Sequence, residues 1–332
     1  MATIGTVMLV ATTTSAPASS ASPARVYHWQ YLRSPENYVY LVFIINYIFI
    51  IGVVLKSKKN YSRSAFFMIF VASGVFDIML ALSTIGNNLY TYIGFGDDYW
   101  FLLMFMKSLS GTNWYTHLWG SFLMSLNQLS ALMYPTKFSL VWTRKKTAGY
   151  LAFGFIGSFV LDYHLFLNPA KFQIGPDGFA YYKGRVYSLG LTRWVSMSIT
   201  GLYVLLNGAV SVTTMVLIRY KTSSDIRKLI QEKSLVFFAC LSTLLTLLEL
   251  IYDCLVEVYG DFTEENANVV LLFIYNNFSY YFFFLAVQNG VTIIIFSKTL
   301  RDELLSLVVR KKSQELPSST IFIVAKSQEN KQ

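Results

Sequence analysis

Charge is what this chain has least of. Of its 332 residues only 14% are Asp, Glu, Lys or Arg, against about 25% in an average soluble domain, so it is short of the groups that would face water on a single soluble globule. Cysteine is nearly absent as well. Cys240 and Cys254 lie in one apolar run, and a 14-residue helical separation puts their backbones roughly 21 Å apart, beyond the ~7 Å reach of a disulfide. A disulfide scaffold is thereby excluded. Acidic residues are few, 18 against 27 Lys and Arg, which leaves a net charge of +9. That surplus suits either a nucleic acid or an anionic membrane, and the positions of the basic residues decide between them. What the chain has in quantity is apolar surface: 54% of it is hydrophobic and 17% aromatic.

That apolar surface is arranged in long runs. A bilayer core about 30 Å thick requires roughly 20 mostly apolar residues in a helix, and seven stretches qualify. Span one, Tyr38 to Leu55, carries no charge, and span two, Ser64 to about Gly86, carries only Asp77. Span three, about Ser108 to Tyr134, is uncharged but polar at Asn113, His117, Asn127 and Gln128. Span four, about Thr147 to Leu167, contains Asp162 and His164; span five, Trp194 to Ile218, is uncharged. Span six, Ser234 to Val256, holds Glu249 and Asp253, and span seven, about Val269 to Ser297, has no charge. The apolar stretch Tyr99 to Met106 reads as an interfacial loop or an extension of span three. The expected fold class is an all-α membrane protein, a bundle of seven transmembrane helices.

Lys and Arg collect on the cytoplasmic side of membrane proteins. Alternating spans put Lys56, Lys58, Lys59 and Arg63, then Lys137, Arg144, Lys145 and Lys146, then Arg219, Lys221, Arg227, Lys228 and Lys233 on one side, together with the tail. That side holds 20 of the 27 basic residues and the other holds 6, with Lys107 at the mouth of span three. The amino terminus is therefore expected outside and the carboxyl terminus inside. Basic residues spread over short loops, rather than gathered on one surface, exclude a nucleic-acid partner and leave the lipid bilayer. Three regions follow: an extracellular, disordered terminus over 1–34, of which 1–24 is rich in Ala, Thr and Ser; the membrane domain over 35–297; and a cytoplasmic tail over 298–332. The tail opens with Lys298 to Lys312, where Leu300, Leu304, Leu305 and Val308 share one helical face among basic residues. Such a helix lies along the inner leaflet.

Several marks are missing. The common seven-helix receptors carry Asp-Arg-Tyr at the inner end of span three and Asn-Pro-x-x-Tyr near the end of span seven. Here those places hold Asn127-Gln128-Leu129 and Asn289-Gly290-Val291-Thr292-Ile293. What is present is narrower. Ser125-Leu126-Asn127-Gln128, followed by Tyr134-Pro135-Thr136-Lys137 and Val141-Trp142, resembles the Ser-Leu-Asn-Arg and Phe-Pro-x-Lys-x-x-x-x-Trp pattern of the nematode serpentine receptor class gamma. Phe66-Phe67, Gly74 to Met79, Glu232 to Leu235 and Ile295 to Lys298 add to the likeness, which covers about residues 35 to 312. The resemblance implies a plasma-membrane chemosensory receptor, sited in sensory cilia, that couples to a heterotrimeric G protein. Gln128 stands where the family has arginine; it can hydrogen-bond but offers no charge to lock a resting state.

An ionisable group in mid-bilayer costs on the order of 2.5 to 3.5 kcal/mol and requires a partner or water. Asp77 is accordingly expected in an interior activation network with Gln128 and with Asn127 or Asn289. A small-molecule ligand is expected between the outer halves of spans three, five, six and seven, where Trp114, His117, Trp194, Met197, Tyr203, Tyr252, Tyr275, Asn276 and Tyr280 stand. Glu249 and Asp253, four apart on one face of span six, either meet an amine-bearing ligand there or reach the outer headgroups. Arg144, Lys145, Lys146, Arg219 and Lys233 form the expected G-protein-facing surface. His117 and His164 lack the spacing of metal ligands, no cofactor is implied, and neither a nucleophile elbow nor a phosphate loop supports an enzyme. The competing classes are a seven-span ion channel and a small transporter; the first is disfavoured by the charge asymmetry, the second by the lack of internal repeats.

Overall fold

The structure is a computed structural model that describes residues 27–33, 35–56, 64–95, 99–187, 190–220 and 226–259, together with Phe284, Gln288, Gly290 and Arg301. Spans one to six of the sequence appear as helices α1 (Pro35–Lys56), α2 (Ala65–Ile93), α3 (Trp100–Met133), α5 (Arg144–Leu167), α6 (Gly190–Tyr220) and α7 (Ile226–Tyr259). A single turn, α4 (Phe138–Val141), stands between α3 and α5. Span seven and the helix expected over 298–312 lie, but for the four residues named, outside the described residues.

Helix boundaries follow local chemistry. Pro35 sits in the first turn of α1, where its missing N–H costs nothing. At the amino end of α5 the Thr143 hydroxyl accepts from the Lys146 backbone N–H at 3.3 Å, capping an otherwise orphaned donor. The α2 helix ends at Gly94, with φ of +84°, and a Cβ there would stand 2.5 Å from the Phe179 ring. Glycine is therefore required twice over, for the left-handed turn and for the close approach. The stretch before Ser108 belongs to α3, which begins at Trp100 and runs 34 residues.

The helices pack around α3. It touches α2, α5, α6 and α7, and its buried residues include Thr112, Asn113, Thr116, His117, Ser121, Ser125 and Asn127. Segments within α1, α2, α5 and α6 are long and apolar enough to cross a membrane: Asn37–Lys56, Ala65–Tyr90, Arg144–Leu167 and Thr192–Tyr220. The same apolarity is not needed on α3, because a helix surrounded by protein meets other helices instead of lipid tails and holds them with small and polar side chains. An apolar cluster of Tyr40, Phe43, Tyr47, Ile50, Ile69 and Phe70 joins α1 to α2, with Leu123 and Met124 of α3 packed against it.

Two features depart from the expected helix bundle with a disordered leader. Between α5 and α6 the chain forms an antiparallel hairpin, β1 (Ala170–Ile174) with β2 (Ala180–Arg185), so the fold is mostly rather than wholly helical. The cause is local. Gly175-Pro176-Asp177-Gly178 supplies a turn, Gly178 takes a φ of +75°, and aromatic residues flank it. Residues 27–33, expected to be disordered, include a 3-10 turn from Trp29 to Arg33 that packs on the end of α2. The His28 N–H donates to the Ile93 carbonyl at 3.0 Å, the His28 ring lies 5.0 Å from Phe179, and Tyr31 stacks on Tyr92. Aromatic ring contacts, made by side chains that stay half-buried or exposed, order the leader at this point.

In the hairpin turn Asp177 accepts from the Phe179 N–H at 3.1 Å and from the Tyr181 hydroxyl at 2.5 Å. The Tyr181 hydrogen bond holds the Asp177 carboxyl below its ordinary 3.8. A depressed folded value means the bond contributes fully above the ordinary carboxylate range and is lost as pH falls through that lower value. Tyr181→Phe is expected to return Asp177 upward toward its ordinary value; NMR titration of the carboxyl resonance against pH would show it, and an unmoved midpoint would mean that the backbone donors set it instead.

Candidate functional site

Two polar clusters lie inside the bundle, on different faces of α3. The first joins α1, α2 and α3 around Asp77, which has no solvent exposure. The Tyr47 hydroxyl donates to Asp77 Oδ2 at 2.9 Å, and His117 Nδ1 donates to Oδ1 at 2.6 Å. Trp114, one helical turn away, stacks on the His117 ring at 5.5 Å with planes 11° apart. The histidine thus fills one side of the carboxylate and the tyrosine the other. Gly290 reaches this cluster, since a Cβ on it would stand 2.5 Å from Tyr47 Cε2.

These contacts revise the expected activation network. Asp77 is partnered by Tyr47 and His117, not by Asn127, which lies ten residues further along α3 and so about 15 Å away along the axis. Asn127 is buried with its Nδ2 unpartnered among the described residues, and Gln128 beside it is half-buried. Asn289 lies outside the described residues. His117, expected at a ligand, is instead committed to a carboxylate.

The second cluster occupies the space between α3, α6 and α7. Tyr203 and Ser242 share a hydrogen bond at 3.1 Å, and Gln288 Nε2 donates to the same Ser242 oxygen at 3.0 Å. Toward the other end of α7, Glu249, Tyr252 and Asp253 are all buried, the two carboxylates at 2% exposure each. The Tyr115 hydroxyl hydrogen-bonds Ser196 and lies within electrostatic reach of Asp162, Glu249 and Asp253. On the α5 side, Thr116 donates to Ser158 at 3.2 Å. Arg193 and Glu257 pair at 2.7 Å, with side chains 31% and 27% exposed; a pair so accessible adds about 1 kcal/mol or less.

Sequence patterning assembled this cluster from two stripes that repeat at helical spacing. Along α6 they are Ser196, Thr200, Tyr203 and Asn207; along α7 they are Ser242, Thr246, Glu249 and Asp253. All eight are buried, and Asn207 closes the seam by donating to Thr243 at 2.7 Å. Tyr47, Tyr115, Ser196, Thr200, Ser242 and Gln288 were not among the expected site residues. For Ser196, Thr200 and Ser242 of α6 and α7, the signal was the shared face of small polar residues within apolar runs.

The remaining expected residues divide plainly. Tyr203, Tyr252, Glu249 and Asp253 come together; Met197 is half-buried on the neighbouring face of α6. Trp194 points away from the bundle at 58% exposure, as a tryptophan at a lipid boundary does, so it is not part of this cluster. Tyr275, Asn276 and Tyr280 lie outside the described residues. Of the basic surface, Arg144, Lys145, Lys146 and Arg219 are exposed at helix ends, and Lys146 Nζ donates to the Leu140 carbonyl at 2.8 Å. The backbone of Lys233 lies in α7.

The family profile of the Srg family chemoreceptors matches residues 37–304. The chain belongs to the Srg family. The match spans α1 to α7 and continues past them, so both polar clusters fall inside the family's domain. This Srg chain is a multi-pass membrane protein of a chemoreceptor family, and that family is one of receptors rather than enzymes. No curated protein matches it.

Proposed function

We propose that this Srg chain is a plasma-membrane receptor that binds a small chemical cue between the outer halves of α3, α6 and α7 and signals to a heterotrimeric G protein on the cytoplasmic face. The observation that carries this reading is the second polar cluster. Buried polar side chains converge there from three helices at one end of α7, while exposed basic residues stand at the opposite ends, at Arg144 to Lys146 and Arg219. Concave sites between bundle helices are where small ligands bind, and a basic rim on the other face suits an acidic partner or anionic lipid. The Asp77 cluster lies beside the second cluster, on another face of α3, and is the element that repacks on activation. In this reading the amino terminus is outside, the carboxyl terminus is inside, and seven helices cross the membrane.

The test is a ligand screen on cells that express the full chain with a G-protein reporter of calcium or cyclic nucleotide. Neutralising Arg219 and Lys233 together is expected to reduce the response about tenfold or more, the equivalent of about 1.4 kcal/mol of coupling, at unchanged surface abundance. An epitope at the carboxyl terminus that stains on unpermeabilised cells would overturn the orientation, and with it the G-protein reading.

A further inference from the structure

The level at which each residue of α6 faces α7 can be read from contacts along the antiparallel pair. Arg193 meets Glu257, a Cβ on Gly201 would stand 3.7 Å from Leu250, Tyr203 meets Ser242, and Asn207 meets Thr243. On that scale Thr200 stands level with Glu249, and Ser196 with Asp253. The same stripe of α6 faces α3, because Ser196 hydrogen-bonds Tyr115.

Three features of this place do not fit a purely structural core. Glu249 is 2% exposed, yet its Oε2 has no hydrogen-bond partner among the described residues. Asp253, one turn along the same face, is equally buried, and among the described residues no Lys, Arg or His side chain forms an ion pair with either; Arg193 acts on Asp253 electrostatically, but its ion pair is with Glu257. Thr200 supplies the independent observation. Other helical threonines in this chain return their hydroxyls to the carbonyl four residues back, as Thr84, Thr214 and Thr246 do. Thr200 is wholly buried and its Oγ1 makes no hydrogen bond among the described residues. A buried acceptor and a buried hydroxyl at one level, both unsatisfied, are costly arrangements that a ligand would relieve.

We infer that the cue is a cation: a small molecule whose ammonium head is held between Glu249 and Asp253 of α7, with the Thr200 hydroxyl accepting a further N–H. This inference rests on the receptor reading and names its ligand class. The sign is set by the site. An anionic cue would be set beside two acidic groups of its own sign, whereas a cation is the ligand whose charge their oxygens can balance in a low-dielectric interior. An ammonium offers as many as three donors to the oxygens of Glu249, Asp253 and Thr200, and the Tyr115 hydroxyl lies within electrostatic reach of both carboxyls.

The experiment uses the full chain, purified in nanodiscs and expressed in reporter cells, with straight-chain amines matched carbon for carbon by alcohols and carboxylic acids. The amines are expected to raise the melting temperature and to drive the cellular signal, with alcohols and carboxylates weaker in both. Glu249→Gln is expected to weaken amine binding about thirtyfold or more, as truncation of one partner of a buried charge pair does, while raising the melting temperature of the ligand-free protein. Asp253→Asn should act in the same direction, and Thr200→Val should weaken binding about tenfold or less; these two carry the test if Glu249→Gln does not accumulate. Unchanged amine affinity in the carboxylate variants, or a preference for alcohols or carboxylates, overturns the cation site and leaves the receptor reading in place. Amine binding to the purified chain without any cellular signal upholds the cation site and overturns the receptor reading. Silence in both arms overturns both.

Discussion

His117→Ala is expected to destabilise the purified chain by about 3 kcal/mol or more, the cost of leaving a buried hydrogen-bonding group without its partner, which rises when that group is charged. The substitution takes the donor from Asp77 Oδ1, at 2.6 Å, and leaves that carboxylate with Tyr47 as its hydrogen-bond donor in a site with no solvent exposure. It also removes the ring on which Trp114 stacks, so part of the loss is packing. The two contributions separate in a double-mutant cycle. Asp77→Asn in the His117→Ala background removes the stranded charge while keeping the side chain's volume, and is expected to recover much of the loss. Thermal unfolding of the four species in nanodiscs measures the coupling. If the double variant is no more stable than His117→Ala alone, then charge is not what binds the pair and the stacking explains the loss.

The second large effect is expected at a residue with no chemistry. Gly154 of α5 is buried, and a Cβ built on it would fall inside the Trp119 indole. The indole is not free to withdraw: its N–H donates to the Tyr150 carbonyl at 2.8 Å, and its ring packs near Phe122 and Phe153. Close approach of backbones over small residues is how helices associate in a membrane, where lipid offers no hydrophobic drive between them. Gly154→Leu should therefore separate α3 from α5 and cost at least the ~1 to 3 kcal/mol of an overpacked core, with poor surface accumulation as its cellular sign. Trp119→Ala in the same chain is expected to restore part of the accumulation by opening the space. Recovery to the level of neither single variant would point to a cause outside this contact.

The long apolar runs made the helices legible because lipid imposes length and apolarity together: α1, α5 and α6 follow the boundaries drawn from composition within four residues, while α2 runs seven residues past its expected end. The hairpin between β1 and β2 was written in its Gly-Pro-Asp-Gly turn, yet a reading tuned to runs of twenty apolar residues passes over two strands of five and six. Residues of the candidate site were partly legible. Asp77, Glu249 and Asp253 stand out because charge in an apolar run is expensive wherever it faces. Their partners do not stand out, because tyrosine, serine and threonine are common in this chain and only the rotation of each helix decides which of them face inward. Trp194 shows the converse: an aromatic residue at the right depth that the helix turns outward.

Trp114 and Tyr115 are consecutive residues of α3, one stacked on the histidine that holds Asp77 and the other bonded to Ser196 beside Glu249 and Asp253. Neighbours on a helix point about 100° apart, and side-chain tips lie roughly 5 to 6 Å from the axis. A turn of α3 by about 20° would carry each tip about 2 Å, more than a 2.6 Å hydrogen bond tolerates. The helix therefore behaves as a gear shaft with teeth in two wheels: whatever rotates it at one cluster must disengage or re-engage the other.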